Sequence, residues 1–237
     1  MDLIEIFNHF GELLDSDYYD NGESVAIFSH GVTSNHRRPY LNILNDALVA
    51  EGISTLSFTF SGNGESDGKF SDSTISKEVN DLSAVLDFVE NRPSIFIGHS
   101  MGAAVGLKLA STDQRLKALV SLAGMINVKD FFDKQFGNLS IGDLMLGREG
   151  CPLSQQLLED AKEIETLTNL GSKINIPLLF VHGDKDELVP IQDSIDMEQA
   201  SYGKTHLVTI SDCDHKFEGH YDKLVEAVVP WVIKNFC

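Results

Sequence analysis

The sequence predicts an α/β protein: a mostly parallel central sheet with helices on both faces and a helical insertion, a small cap, after the sixth strand. Three observations predict it. Largely apolar runs of strand length recur at residues 24–29, 95–97, 116–122 and 177–182, as strands covered on both faces require. Amphipathic helical patterns alternate with these strands three times, the rhythm that gives parallel pairing through right-handed crossovers. Residues 124–173 then break that rhythm without a clear strand.

In chain order, weak alternation through Leu3, Ile4, Ile6, Leu13 and Leu14 predicts two short antiparallel strands joined by a turn. The run 24–29 ends in His30-Gly31-Val32-Thr33-Ser34-Asn35, where a glycine after a buried strand lets the backbone aim N–H groups at a ligand. Leu41, Leu44 and Leu48 recur at helical spacing between Pro39 and Gly52, so 39–51 is an amphipathic helix. Residues 53–60 alternate as a strand. The loop 61–68 follows, and its three glycines demand unusual backbone angles. No lysine stands after it in the arrangement of a phosphate loop, so the reading is a turn.

Ile75, Val79, Leu82, Leu86 and Val89 form the apolar face of a second helix ending before Pro93. After the strand at 116–122, the insertion carries Phe131, Phe132, Phe136, Leu139, Leu144, Met145 and Leu146, with helical spacing returning at 157–170. It is expected over one edge of the sheet, with most of its aromatic residues packing it down. Strand 177–182, helix 191–201, strand 205–210 and helix 217–236 complete the chain as one domain.

The 237 residues carry 36 acids against 18 bases, a net charge of −18, with no basic stripe. Nucleic acid and anionic membrane surfaces are thereby poor partners, and the field favours neutral or cationic substrates over polyanions. No apolar run is long enough to span a membrane, and Met-Asp-Leu-Ile-Glu-Ile places acids where a secretory signal carries bases. Cys151, Cys213 and Cys237 have no metal-ligand spacing and read as free thiols. A cytoplasmic location is expected, with no membrane insertion, no metal and no cofactor. A homodimer is left open.

The stretch 94–110 organises the chemistry. A short strand feeds Gly98-His99-Ser100-Met101-Gly102 and a small-residue helix follows at once. A serine at such a turn has a strained backbone, so Gly98 and Gly102 must be small, and the turn sets the hydroxyl at a helix N-terminus. A serine nucleophile needs a base oriented by a carboxylate, both from loops at the C-terminal strand ends. The loop after 177–182 offers Asp184, Asp186 and Glu187; the loop after 205–210 offers His215.

With these pieces in order, the chain resembles the α/β-hydrolases, in the branch of monoglyceride-lipase-like and cinnamoyl (feruloyl) esterase-like enzymes. The resemblance covers nearly the whole sequence: His30-Gly31-Val32-Thr33-Ser34-Asn35, residues 58–66, the turn around Ser100, His182-Gly183 through Asp186 to Val189-Pro190, and Asp214-His215. It implies Ser100, Asp186 and His215 as catalytic residues, with Asp184 a turn neighbour and Glu187 a surface acid. It also implies the backbone N–H groups of Val32 and Met101 as the oxyanion hole. Family members often carry an aromatic where Val32 stands and an aspartate where Thr59 stands. Of the eight histidines, His99 and His182 are expected to be packed, His9, His36 and His206 exposed, and His30 to shape its loop.

The function implied is a serine carboxylesterase acting on small to medium neutral esters, short-chain or hydroxycinnamoyl, with a small-molecule ester as partner. A thioesterase, an aminopeptidase-like amidase, a C–C hydrolase and a slow-turnover ligand receptor stay open within the fold. Arg37 and Arg38 are expected on the surface.

Overall fold

The computed structural model describes residues 4–90, 92–202 and 204–236. Leu3, expected in the first strand, and Cys237, expected as a free thiol, lie outside them. Strands β1 (Ile6–Phe7) and β2 (Leu13–Leu14) pair antiparallel as a separate hairpin. Seven further strands form one sheet in the order β3-β5-β4-β6-β7-β8-β9. These are β3 (Ser16–Tyr19), β4 (Val25–Ser29), β5 (Ser54–Phe58), β6 (Ser94–His99), β7 (Leu116–Leu122), β8 (Leu178–Gly183) and β9 (Thr205–Ile210). All neighbours are parallel except β3 and β5.

The continuous apolar runs have a simple cause. Successive side chains of a strand point to opposite faces, and here both faces are covered, so each strand feeds two cores in alternation. Ile95 and Ile97 of β6 join Phe28, Val120 and Val181 under α1 (Pro39–Ala50) and α7 (Tyr221–Phe236). Phe96, with Ile27, Leu119 and Phe180, faces α2 (Ile75–Phe88), α3 (Met101–Ala110) and α6 (Gln192–Ala200). Emptying such a position, as in Phe96→Ala, typically costs about 3–5 kcal/mol.

Two expectations are corrected. Ser-Asp-Tyr-Tyr shows no apolar strand pattern, yet it forms edge strand β3, with only Tyr18 buried. An edge strand meets the sheet on one side and needs few apolar side chains. Counting β3, the insertion follows the seventh strand in the chain rather than the sixth. Nor does it lie over an edge, because it leaves β7 and re-enters at β8, interior neighbours in the sheet. It comprises α4 (Val128–Phe136), a short 3₁₀ turn at Met145–Gly147, α5 (Gln155–Ile164) and a 3₁₀ segment at Thr168–Lys173. Phe132, Phe136, Leu153, Leu157 and Leu167 join the α2–α3 core. Asp160 of α5 accepts from the Ser76 N–H of α2 at 3.0 Å, pinning the insertion there.

Successive connections run from β4 outward to β5 and then back across it to β6, so the strand order reverses beside β4. Ligands of open α/β sheets bind at the C-terminal strand ends near such a reversal. Among the described residues no helix is long and apolar enough to cross a membrane.

Candidate active site

Strand β6 ends at His99 and α3 begins at Met101, leaving Ser100 alone at the junction with φ +53° and ψ −117°. A non-glycine residue there is strained and persists only if its surroundings hold it. They do: the Ser100 N–H donates to the Leu122 carbonyl at 2.9 Å, and its carbonyl accepts from Met125 at 3.2 Å. A Cβ on Gly98 would lie 2.6 Å from the Gly102 carbonyl carbon, and one on Gly102 would lie 2.5 Å from the His30 oxygen. Both glycines are thus required by close backbone approach. Gly31 is equally confined, since its Cβ would stand 2.9 Å from that of Ser100.

His215 sits in the loop after β9. Its Nδ1–H donates to Asp186 Oδ2 at 2.6 Å. Asp186, in the loop after β8, has a side chain with no exposure. Its Oδ1 accepts from the Leu188 and Val189 N–H groups, both at 2.9 Å, and His182 Nε2 lies 3.2 Å from Oδ2. Burial pushes the Asp186 carboxyl up, but the contacts from His182 and His215 outweigh it and hold the acid well below the usual carboxylate range. The two loops are tied together: Lys185 N–H donates to the Cys213 carbonyl at 2.9 Å and Asp212 N–H to Asp184 at 2.7 Å. Asp184 is therefore a strut between loops, and Glu187 is exposed.

Ser100 and His215 line one cavity of about 450 Å³, in the range of small-molecule sites. Its wall includes Val32, Tyr40, Phe131, Leu146 and Leu188. Among the described residues neither Ser100 Oγ nor His215 Nε2 has a protein hydrogen-bond partner, and the N–H groups of Val32 and Met101 have no protein acceptor. Bonds of this kind commonly close only when substrate is bound. Phe132, Phe136 and Met145 are buried in the core instead, so the insertion reaches the cavity through Phe131, Leu146 and Arg148. Among the described residues no group of three or more His, Cys, Asp or Glu could hold a metal ion.

The histidines divide largely as expected. His182 is buried, hydrogen-bonded through Nδ1 to Ser194 and through Nε2–H to the Val189 carbonyl. His30 accepts from Phe60 N–H at Nε2, so its proton is on Nδ1 toward the Gly31 carbonyl, and burial lowers its pKa to about 3. It shapes the loop as a neutral ring. His9 and His206 are exposed. His36 is a correction: it is 1% exposed, with Nδ1 at 2.6 Å from Thr59 Oγ1 and Nε2 at 3.0 Å from Asp17. It clamps the loop behind Val32 onto β3 and the end of β5.

Two residues behind His215 carry no catalytic signature in the sequence. His99 donates from Nε2 to the His215 carbonyl at 2.8 Å, and Tyr40 hydroxyl pairs with His99 Nδ1 at 3.1 Å. The His99 ring lies 4.6 Å from that of His215, and burial keeps its pKa well below the ordinary value. The only sequence cue was position, with His99 directly before Ser100 and Tyr40 at the start of α1. Arg37 pairs with Asp15 away from the cavity, whereas Arg38, expected on the surface, lines it.

Known structures share this arrangement of strands and helices. Est1E from Butyrivibrio proteoclasticus, solved with ferulic acid bound, superposes with a TM-score of 0.88 at 25% identity, covering 98% of this chain and 99% of that one. Mouse alpha/beta hydrolase domain-containing protein 10 superposes with a TM-score of 0.83 at 20% identity, covering 99% of each chain. In sequence, mouse palmitoyl-protein thioesterase ABHD10, mitochondrial, is 27% identical over 183 residues, 71% of this chain. The match covers 61% of that relative, less than two thirds of its length. Residues 21–141, just over half the chain, match the Hydrolase_4 family model, serine aminopeptidase S33. The chain therefore belongs to that family and is a hydrolase of the α/β-hydrolase class.

Proposed function

We propose that the protein is a serine carboxylesterase acting on small to medium esters, short-chain or hydroxycinnamoyl, through an acyl-enzyme on Ser100. The observation that carries this reading is the Asp186–His215 pair, 2.6 Å apart, opening onto the cavity that Ser100 lines. In the proposed cycle His215 Nε2 takes the hydroxyl proton as Ser100 Oγ bonds to the ester carbonyl carbon. The carbonyl oxygen becomes anionic and accepts from the Val32 and Met101 N–H groups. His215 then returns the proton to the departing alcohol as the ester C–O bond breaks. Water, deprotonated by His215, attacks the acyl-enzyme, and Ser100 leaves with the proton. Asp186 stays ionised throughout, fixing the ring and stabilising its charged form. Gly98 and Gly102 hold the serine in place, and the steps need no cofactor.

A thioesterase is the second reading, favoured by the name of the mouse relative and served by the same residues. Cys151 and Cys213 are free, and burial raises the Cys213 thiol to about 11. Unpaired thiols suit a reducing compartment, and the location we propose is cytoplasmic.

The test is hydrolysis of a 4-nitrophenyl ester series from acetate upward beside an acyl-thioester series, with wild type and Ser100→Ala. Turnover of the oxygen esters should fall about a thousandfold or more in the variant, and a serine-directed phosphonate should block the wild type. Activity that survives the substitution would sink the assignment, and a preference for thioesters would select the second reading.

A further inference from the structure

We infer that Arg38 and Arg148 form an anion-binding seat in the cavity, so that the ester acted on carries a carboxylate on one of its two halves. This rests on the hydrolytic reading above and names its substrate class. The chain has five arginines: Arg37, Arg38, Arg92, Arg115 and Arg148. Arg37 pairs with Asp15, Arg92 with Asp20 at 3.1 Å and Arg115 with Asp113 at 2.6 Å. Among the described residues Arg38 and Arg148 pair with no carboxylate, in a chain with 36 acids. These same two line the cavity of Ser100 and His215.

They also line an adjoining cleft between the Val32 loop, the Gly62-Asn63-Gly64 turn and residues 149–151 of the insertion, which adds one carboxylate, Glu149, so both arginines stand where the two spaces meet. Arg38 is half-buried, and its Nε–H donates to Ser34 Oγ at 2.7 Å. That bond fixes the guanidinium and leaves its terminal N–H groups without a protein acceptor among the described residues. A planar fork held this way matches a carboxylate with two parallel hydrogen bonds. The cavity wall carries three cationic side chains, Arg38, Arg148 and Lys216, against one carboxylate, Glu218. The side chains lining the cavity thus carry a positive balance in a chain of net charge −18. The overall field disfavours multiply charged groups such as phosphate and leaves a singly charged carboxylate as the best-fitting anion. A carboxylate-bearing ester is a different substrate from the neutral ester expected from the net charge and the aromatic insertion.

Two matched pairs of esters test this. On the acyl side, mono-4-nitrophenyl adipate is compared with the same ester whose distal carboxylate is a carboxamide. On the alcohol side, 4-acetoxybenzoate is compared with 4-acetoxybenzamide. Wild type should prefer the carboxylate in one pair, which locates the seat, and Arg38→Gln and exposed Arg148→Gln should each lower that preference in kcat/KM about tenfold, mainly through KM. Arg148→Lys should restore part of it. No carboxylate preference in either pair, or a ratio that neither substitution moves, overturns the proposal. Binding of monomethyl adipate by calorimetry separates the two readings: if no ester is turned over but the half-ester binds and loses affinity in Arg148→Gln, the seat stands and the hydrolytic reading falls.

Discussion

Both oxygens of Asp186 are committed, Oδ2 to His215 and His182 and Oδ1 to the Leu188 and Val189 N–H groups. Asp186→Asn should keep the fold but present an amide to His215, favouring the wrong tautomer and lowering kcat by about 10⁴. Steady-state kinetics on a 4-nitrophenyl ester checks this. The same residue sets an acid limit. Its carboxyl is held below its ordinary value, so the stability it contributes is complete above the unfolded value near about 4 and is lost as pH falls through the folded one. The thermal margin of wild type over Asp186→Asn should therefore be full at pH 7 and narrow below about pH 4. His36 shows where single-residue reasoning from sequence ends. Its partners Thr59 and Asp17 lie 23 and 19 positions away, and nothing local marks it as buried.

At the scale of elements, the junction of β6 and α3 is held by absent side chains. A Cβ at Gly98 meets backbone atoms that no rotamer can move aside. Gly98→Ala should cost about 1–3 kcal/mol, read as a lower denaturant midpoint, and should reduce ester hydrolysis with it. Helix α2 carries a different strain. Glu78 is fully buried, accepts from Ser73 Oγ at 2.9 Å through Oε1, and among the described residues has no partner at Oε2. Burial, with Asp81 nearby, raises its carboxyl well above the ordinary value. A raised folded value means that its stability is complete below the unfolded value and is lost as pH rises. Glu78→Gln removes that loss, so its melting temperature should exceed wild type at pH 7–8 by about 2–4 °C and match it near about pH 4. An advantage that does not change with pH would show that burial of the charge is not the cause.

Across the whole molecule, 36 acids against 18 bases leave the chain repelling itself. Screening shortens the reach of that repulsion from about 30 Å at 0.01 M salt to about 3 Å at 1 M. Melting temperature at pH 7 should rise by a few degrees between these limits. A fall would mean that the surface pairs of Arg37, Arg92 and Arg115 outweigh the net charge. The same contrast of scales bears on specificity, because the cavity is lined by Arg38, Arg148 and Lys216 against one carboxylate, Glu218, a balance that the total charge conceals.

By itself the sequence determined the sheet, the helices on both faces and the turn at Ser100, because each is written in local periodicity or in glycines at short spacing. It also placed Asp186 and His215 at strand ends, since strand termini are legible from where apolar runs stop. Only the tertiary structure decided that Ser-Asp-Tyr-Tyr completes the sheet edge, that the insertion packs over α2 and α3, and that His36 is buried. It also turned Arg37 away to Asp15 and left Arg38 lining the cavity of Ser100 with Arg148, 110 positions away in the chain. Adjacent arginines look alike in a sequence. What separates them is which carboxylates the fold brings within reach, and that is a property of contacts between distant segments.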